Sequence, residues 1–191
     1  MLLVIYVLYP NNIKKQYNKQ INYANRGMDL EDLINKTNEY NISINKALIY
    51  KKPTPIGVVD VSYSKEGKKI EKAYFKEQST LDYNGLYKGK YIEFEAKETT
   101  SKTSIPLKNF HAHQIKHIRM VIEHKGIVFI IIKINGLIYL LKGTDFIDYI
   151  DTHERKSVEY DYIKNKGFLL KENYLKGLNY LDVVDEVFIG G

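Results

Sequence analysis

The segment Tyr91-Ile92-Glu93-Phe94-Glu95-Ala96-Lys97-Glu98 alternates apolar and charged side chains with the two-residue period of a strand buried on one face. Glu95 and Lys97 therefore project to the same side, their bases about 6.6 Å apart. Other stretches carry equally plain periods. From Gly27, the positions Met28, Leu30, Leu33, Ile34 and Thr37 recur at helical spacing with Asn25 as a cap, which predicts a first helix of roughly four turns. Ala47 to Tyr50 reads as a strand stopped by Pro53 and Pro55, and Ile56 to Tyr63 and Ile70 to Phe75 read as strands around a turn at Gly67. Phe110 to His124 suits a helix bounded by Pro106 and Gly126, and the apolar runs Ile127 to Ile134 and Leu137 to Leu141 meet at Asn135-Gly136, a hairpin signal. Shorter helices are expected near 144–151, 156–165 and 180–188. Strands alternating with helices predict an α/β fold with a mixed sheet covered on both faces.

Composition narrows the class. A chain of 191 residues suits one domain with a sizeable core, and 44% hydrophobic content argues against disorder. Cysteine is absent, which excludes disulfides and thiolate zinc sites and fits a cytoplasmic setting. The apolar run Leu2 to Leu8 is too short to span a bilayer and lacks the flanks of a signal peptide, so no membrane role is expected. Residues 11–24 are polar and basic. Residues 1–24 are thus expected to form an N-terminal segment and mobile arm, ahead of a single domain over 25–191.

The net charge of +6 matters less than its distribution. Residues 46–110 carry thirteen lysines against eight acids, whereas residues 111–191 balance eleven basic against eleven acidic residues. The 11–26 stretch adds Lys14, Lys15, Lys19 and Arg26 with no acid. With 26 lysines to three arginines the whole chain is lysine-rich, but the local asymmetry is what a polyanion-binding surface requires. Arg26, Lys51, Lys52, Lys65, Lys68, Lys69, Lys88 and Lys90 are the expected phosphate contacts.

Within that basic region lies a set suited to phosphodiester hydrolysis. Asp82 precedes Asn84-Gly85, a turn signal expected to fold it back toward Glu95. Two carboxylates and the Lys97 ammonium would then share one point. Carboxylates are hard oxygen ligands suited to magnesium, which uses few protein ligands, and a lysine can stabilise the attacking hydroxide or the transition state. From this pattern alone, a strand with a solvated charged face is the simpler reading. Four of the five histidines, His111, His113, His117 and His124, cluster on the helix after this strand. His113 and His117 have the spacing of a zinc-protease pair, but Gln114 stands where that motif needs its general base, so zinc hydrolysis is not expected. Tyr83, Tyr87 and Tyr91 have strand packing as their ordinary reading and base stacking as the functional one.

The run Ser79-Thr80-Leu81-Asp82-Tyr83-Asn84-Gly85-Leu86-Tyr87-Lys88-Gly89-Lys90-Tyr91-Ile92-Glu93-Phe94-Glu95-Ala96-Lys97-Glu98-Thr99 resembles the core of RecU-type Holliday junction resolvases. So do Asn25-Arg26-Gly27-Met28-Asp29-Leu30-Glu31, Lys51-Lys52-Pro53-Thr54-Pro55, Ala73-Tyr74-Phe75-Lys76 and Asn109-Phe110-His111-Ala112-His113-Gln114-Ile115, in the family's order. The resemblance implies a restriction-endonuclease-like fold. It also implies a homodimer that makes symmetrical, magnesium-dependent incisions in four-way DNA junctions, with manganese able to substitute and 5′-phosphate ends as product. Asp82 and Glu95 match its metal-binding carboxylates, Thr80 and Gln114 further metal-site positions, and Lys97 the transition-state stabiliser. Glu31 stands where related nucleases place an extra acid, though a capping or solvated helix carboxylate is the simpler reading. Residues 54–72 resemble the family's protruding stalk. Relatives carry an arginine near its tip associated with modulation of the strand-exchange recombinase; here Ser64-Lys65-Glu66 lacks it, and lysine loses the planar bidentate fork. The competing expectations are a restriction-like duplex endonuclease and a non-cleaving recombination accessory factor.

Overall fold

The computed structural model describes residues 29–64, 67–76 and 80–190. The expected N-terminal arm, the Asn25 cap, Arg26, Gly27, Met28, Lys65 and Glu66 lie outside the described residues. In chain order the elements are α1 (Leu30–Ser43), β1 (Leu48–Lys51), β2 (Ile56–Ser64), β3 (Gly67–Phe75), β4 (Tyr83–Tyr87), β5 (Lys90–Glu98) and β6 (Ser104–Pro106). They continue with α2 (Ala112–Glu123), β7 (Ile127–Ile134), β8 (Leu137–Lys142), α3 (Gly143–Thr152), β9 (Ser157–Glu159) and α4 (Tyr160–Lys166). The chain closes with β10 (Phe168–Leu169), β11 (Glu172–Asn173), β12 (Gly177–Leu178) and α5 (Tyr180–Val184), which runs into a π-helical turn, Asp185–Ile189.

Six strands form the central sheet in the order β1-β4-β5-β7-β8-β10. Only β5 and β7 are parallel, because α2 crosses over between them; every other pair is antiparallel, so the sheet is mixed. Register sorts the side chains of β5 between two layers. Ile92, Phe94 and Ala96 pair with Ile127, Phe129 and Ile131 on the face where Leu30, Leu33 and Ile34 of α1 and Tyr180, Leu181 and Val184 of α5 pack. Glu93, Glu95 and Lys97 pair with Val128, Ile130 and Ile132 on the face covered by Ile118 and Val121 of α2 and Phe146 of α3. Stacked rings of Tyr83, Phe94 and Phe129, each 4.8 Å from the next, cross three strands of the first layer. The expected mixed sheet covered on both faces is thus present.

Two glycine positions correct the expected connection between β4 and β5. The Asn84-Gly85 pair lies inside β4, and the turn falls instead at Lys88 and Gly89, whose φ values of 48° and 72° are those of a two-residue hairpin turn. Gly85 is required by close approach: a Cβ there would lie 1.9 Å from the Leu48 carbonyl oxygen of β1. Asn135-Gly136, by contrast, is the turn it spells, with φ of 52° and 74° between β7 and β8.

Strands β2 and β3 form a two-stranded sheet of their own. Every residue of β3 is exposed, so both faces of this hairpin meet solvent along roughly 30 Å. Its ends are tied where the Lys76 N–H donates to the Pro55 carbonyl at 2.9 Å. The hairpin therefore runs a few residues past the expected limit at 72.

Candidate active site

Because Tyr83 pairs with Phe94, Asp82 lies across from Glu95, and its backbone N–H donates to Glu95 Oε2 at 3.2 Å. Neither buried acid of β5 is solvated. Glu93 and Glu95 are both 0% exposed, so the charged face of this strand is an interior one. Lys97, two residues on, donates from Nζ to Glu95 Oε1 at 2.6 Å, and its ammonium lies 5.7 Å from the centre of the Phe110 ring.

Gln114 arrives from α2. Its Oε1 accepts the His111 N–H at the start of the helix, 3.0 Å away, which forces the amide nitrogen outward; Nε2 then donates to Glu95 Oε1 at 2.7 Å. The opposite amide orientation would set the NH₂ group against the His111 N–H. Gln114 thus meets the site as a donor to Glu95. Thr80 Oγ1 accepts from Lys52 Nζ at 2.9 Å.

Burial, followed by the neighbouring Asp82 charge, pushes the Glu95 carboxyl up to about 7, against an opposing pull from Lys97. Two carboxylates pressed together with one partly exposed ammonium form a site short of positive charge. Their oxygens are hard donors, and a divalent cation of the magnesium type fits that chemistry. Among the described residues no group of three or more His, Cys, Asp or Glu converges to hold a metal. His117 Nε2 meets Glu93 Oε2 at 2.7 Å, while the rings of His111 and His113 stack with centres 5.3 Å apart.

Glu31 is in the first turn of α1, ion-paired with Lys51, and the Leu30 N–H donates to Glu98 Oε2 at 3.4 Å, which ties that helix end to the end of β5. Tyr83 and Tyr87 are core residues, and Tyr91 donates its hydroxyl to Glu93, so the packing reading holds for Tyr83 and Tyr87.

The expected phosphate contacts divide by position. Lys52 is committed inward, to Thr80 and Glu93. Lys68 and Lys69 stand on the exposed hairpin, Lys69 beside Glu71 at 3.6 Å. Lys88 and Lys90 sit at the far end of the β4–β5 hairpin, roughly 20 Å and 17 Å of strand away from Asp82 and Glu95. Lys88 there pairs with Asp185 at 2.8 Å. Arg26 and Lys65 fall outside the described residues. Glu93 is the residue sequence reasoning passed over; its place two positions before Glu95 on an alternating strand was the available signal.

A family model described as "Recombination protein U" matches residues 25–186. A protein of Streptococcus agalactiae serotype Ia named Holliday junction resolvase RecU is 46% identical over 189 residues, covering 97% of this chain and 95% of its own length. Proteins of the same name from Streptococcus mutans and Streptococcus gordonii are 47% and 45% identical, over 97% and 95% of this chain and 99% and 92% of theirs. With likeness of that depth over nearly the whole chain and a family model that matches residues 25–186, the chain belongs to the RecU family.

Proposed function

We propose that this protein is a Holliday junction resolvase: a structure-selective endonuclease that incises two opposed strands of a four-way DNA junction in homologous recombination and repair. The observation that carries the reading is the convergence of Asp82, Glu95 and Lys97 at one buried-edged point, in a chain whose relatives bear that name. The mixed sheet with its two acids and lysine supports a restriction-endonuclease-like architecture, on which the β2–β3 hairpin serves as the stalk.

Asp82 and Glu95 would hold magnesium, or manganese in its place, with the Thr80 hydroxyl beside them and Gln114 orienting Glu95. When bound, the ion neutralises charge on the phosphoryl oxygens and acidifies a water. Lys97 stabilises the charge that develops as water attacks phosphorus in line with the departing O3′. The P–O3′ bond breaks, the proton lost by water ends on the leaving oxygen, and the products are a 5′-phosphate and a 3′-hydroxyl.

Two cuts on strands related by a two-fold axis need two sites related in the same way, which a closed homodimer supplies. Exposed Ile56, Val58 and Phe75, on one face at the base of the hairpin, support such pairing, since apolar residues clustered in solvent mark an interface. Junction DNA would then meet Lys68 and Lys69 of the stalk, with Lys51 nearer the cleft. A cytoplasmic setting and contact with the strand-exchange recombinase complete the proposal.

The test is cleavage of a mobile four-way junction beside a matched duplex, with magnesium and with EDTA. Magnesium-dependent cutting confined to the junction is expected. Equal cutting of the duplex would favour the restriction-like reading.

A further inference from the structure

Glu93 is a buried acid to which the hydrolytic chemistry assigns no task. Its Oε1 accepts from Lys52 Nζ and from the Leu81 N–H at 3.3 Å, and its Oε2 accepts from the Tyr91 hydroxyl at 2.7 Å and meets His117 Nε2 at 2.7 Å. A carboxylate has about four acceptor positions. All are filled, so Glu93 could ligate a metal only by giving up a donor. Burial pushes its carboxyl up, but the bonds from Lys52, Tyr91 and His117 outweigh burial and hold it below the ordinary range.

The groups that Glu93 gathers come from three places in the chain. Leu81 lies between Thr80 and Asp82, so the bond to its N–H holds the middle of the segment that carries both site residues. Lys52 follows β1; its ammonium bridges Glu93 and Thr80 Oγ1, while its own N–H donates to the Asp82 carbonyl at 2.7 Å. His117 stands on α2 one turn after Gln114. The pairs His117–Glu93 and Gln114–Glu95 form two successive rungs between α2 and β5.

We infer that Glu93 is the positioning residue of the active site: with Lys52 and His117 as its partners, it pins the Thr80–Asp82 segment and α2 to β5, and so sets the Asp82 and Glu95 carboxylates against each other. In consequence Lys52 is an internal strut and not a DNA contact. The functional side of this inference rests on the proposed metal site at Asp82 and Glu95; the pinning of the segment does not.

The test uses the full chain with Glu93→Gln, and with Lys52→Met/Glu93→Gln to remove the ammonium that the single change would leave buried and unpaired. Three readouts are taken: hydrogen exchange at the Leu81 and Asp82 amides, Mn²⁺ affinity by calorimetry without DNA, and the magnesium concentration for half-maximal junction cleavage. Exchange should quicken at least about tenfold, Mn²⁺ affinity should fall about 10–100-fold, as is usual when a group supporting metal ligands is lost, and half-maximal cleavage should move to higher magnesium. Junction affinity measured in Ca²⁺ should stay within about twofold, since no DNA contact is removed. Wild-type exchange and metal affinity in either folded variant would overturn the inference, as would unfolding of both, which would make Glu93 a stability residue. If the wild-type protein bound no Mn²⁺ while exchange still quickened in the variants, the metal-site reading would fail and the pinning would stand.

Discussion

In the proposed mechanism Glu95 is the central side chain, buried at 0% exposure between an acid, a lysine and an amide. Asp82→Asn or Glu95→Gln should lower junction incision at least about 100-fold while leaving junction binding intact or tighter, because each keeps shape and removes one negative charge facing phosphate. Cleavage and gel-shift assays in parallel check this, and full activity in either variant would remove that residue from the site. The raised Glu95 carboxyl also fixes the sign of a pH effect. Its folded value of about 7 lies above the roughly 4.3 of an unfolded chain, so its contribution favours folding at low pH and is lost as pH rises through about 7. In EDTA, Glu95→Gln should therefore melt above wild type at pH 8, by roughly 2–4 °C per kcal/mol relieved, with the gap closing toward pH 5. A gap independent of pH would show that burial of the charge carries no such cost. At this scale the two-residue period made the shared side of Glu95 and Lys97 legible, whereas Asp82 was expected to reach them through a turn at Asn84-Gly85 that the structure places at Lys88 and Gly89. The sequence was silent on Glu93, since alternation cannot tell a solvated charged face from a buried one that other elements cover.

Among the elements, β4 shows how local signals fail when a neighbour decides. Asn84-Gly85 reads as a turn in isolation, yet Gly85 is inside the strand because the Leu48 carbonyl of β1 lies where a Cβ would be. Gly85→Ala should cost about 2 kcal/mol or more by displacing β1 from the sheet edge, read as a lowered denaturant midpoint. An unchanged midpoint would mean that β1 yields without cost. The apolar runs of β7 and β8 were legible because Asn135-Gly136 supplies the positive φ values their hairpin needs. Short pairings such as β6 with β9 were not, since three residues carry no period. The β2–β3 hairpin forms a separate sheet, so replacing residues 57–71 with a short Gly-Ser turn should leave the core folded. It should also lower the junction-to-duplex affinity ratio at fixed salt by about tenfold or more, beyond the uniform loss expected from removing Lys65, Lys68 and Lys69. A folded variant with an unchanged ratio would show that the hairpin does not select junctions.

The proposed paired incisions require two such sites at one junction. Among the described residues nothing buries the exposed apolar side chains at the hairpin base, and light scattering at micromolar concentration should give twice the mass of one chain. A monomer both free and on a junction would end the paired-cut mechanism while leaving the nuclease chemistry of Asp82 and Glu95 standing. The expectation of two chains comes from the family resemblance alone, because the pattern of one chain records which faces are apolar and not what covers them. The most direct measurement of the central claim is to map both cuts on a junction with each strand labelled in turn, then treat the products with DNA ligase. Paired incisions at symmetry-related positions, giving linear duplexes whose nicks seal without further processing, are the predicted result. Cuts on a single strand, or at unrelated positions, or nicks that ligase cannot seal, would contradict the account of a two-fold pair of hydrolytic sites leaving a 5′-phosphate and a 3′-hydroxyl.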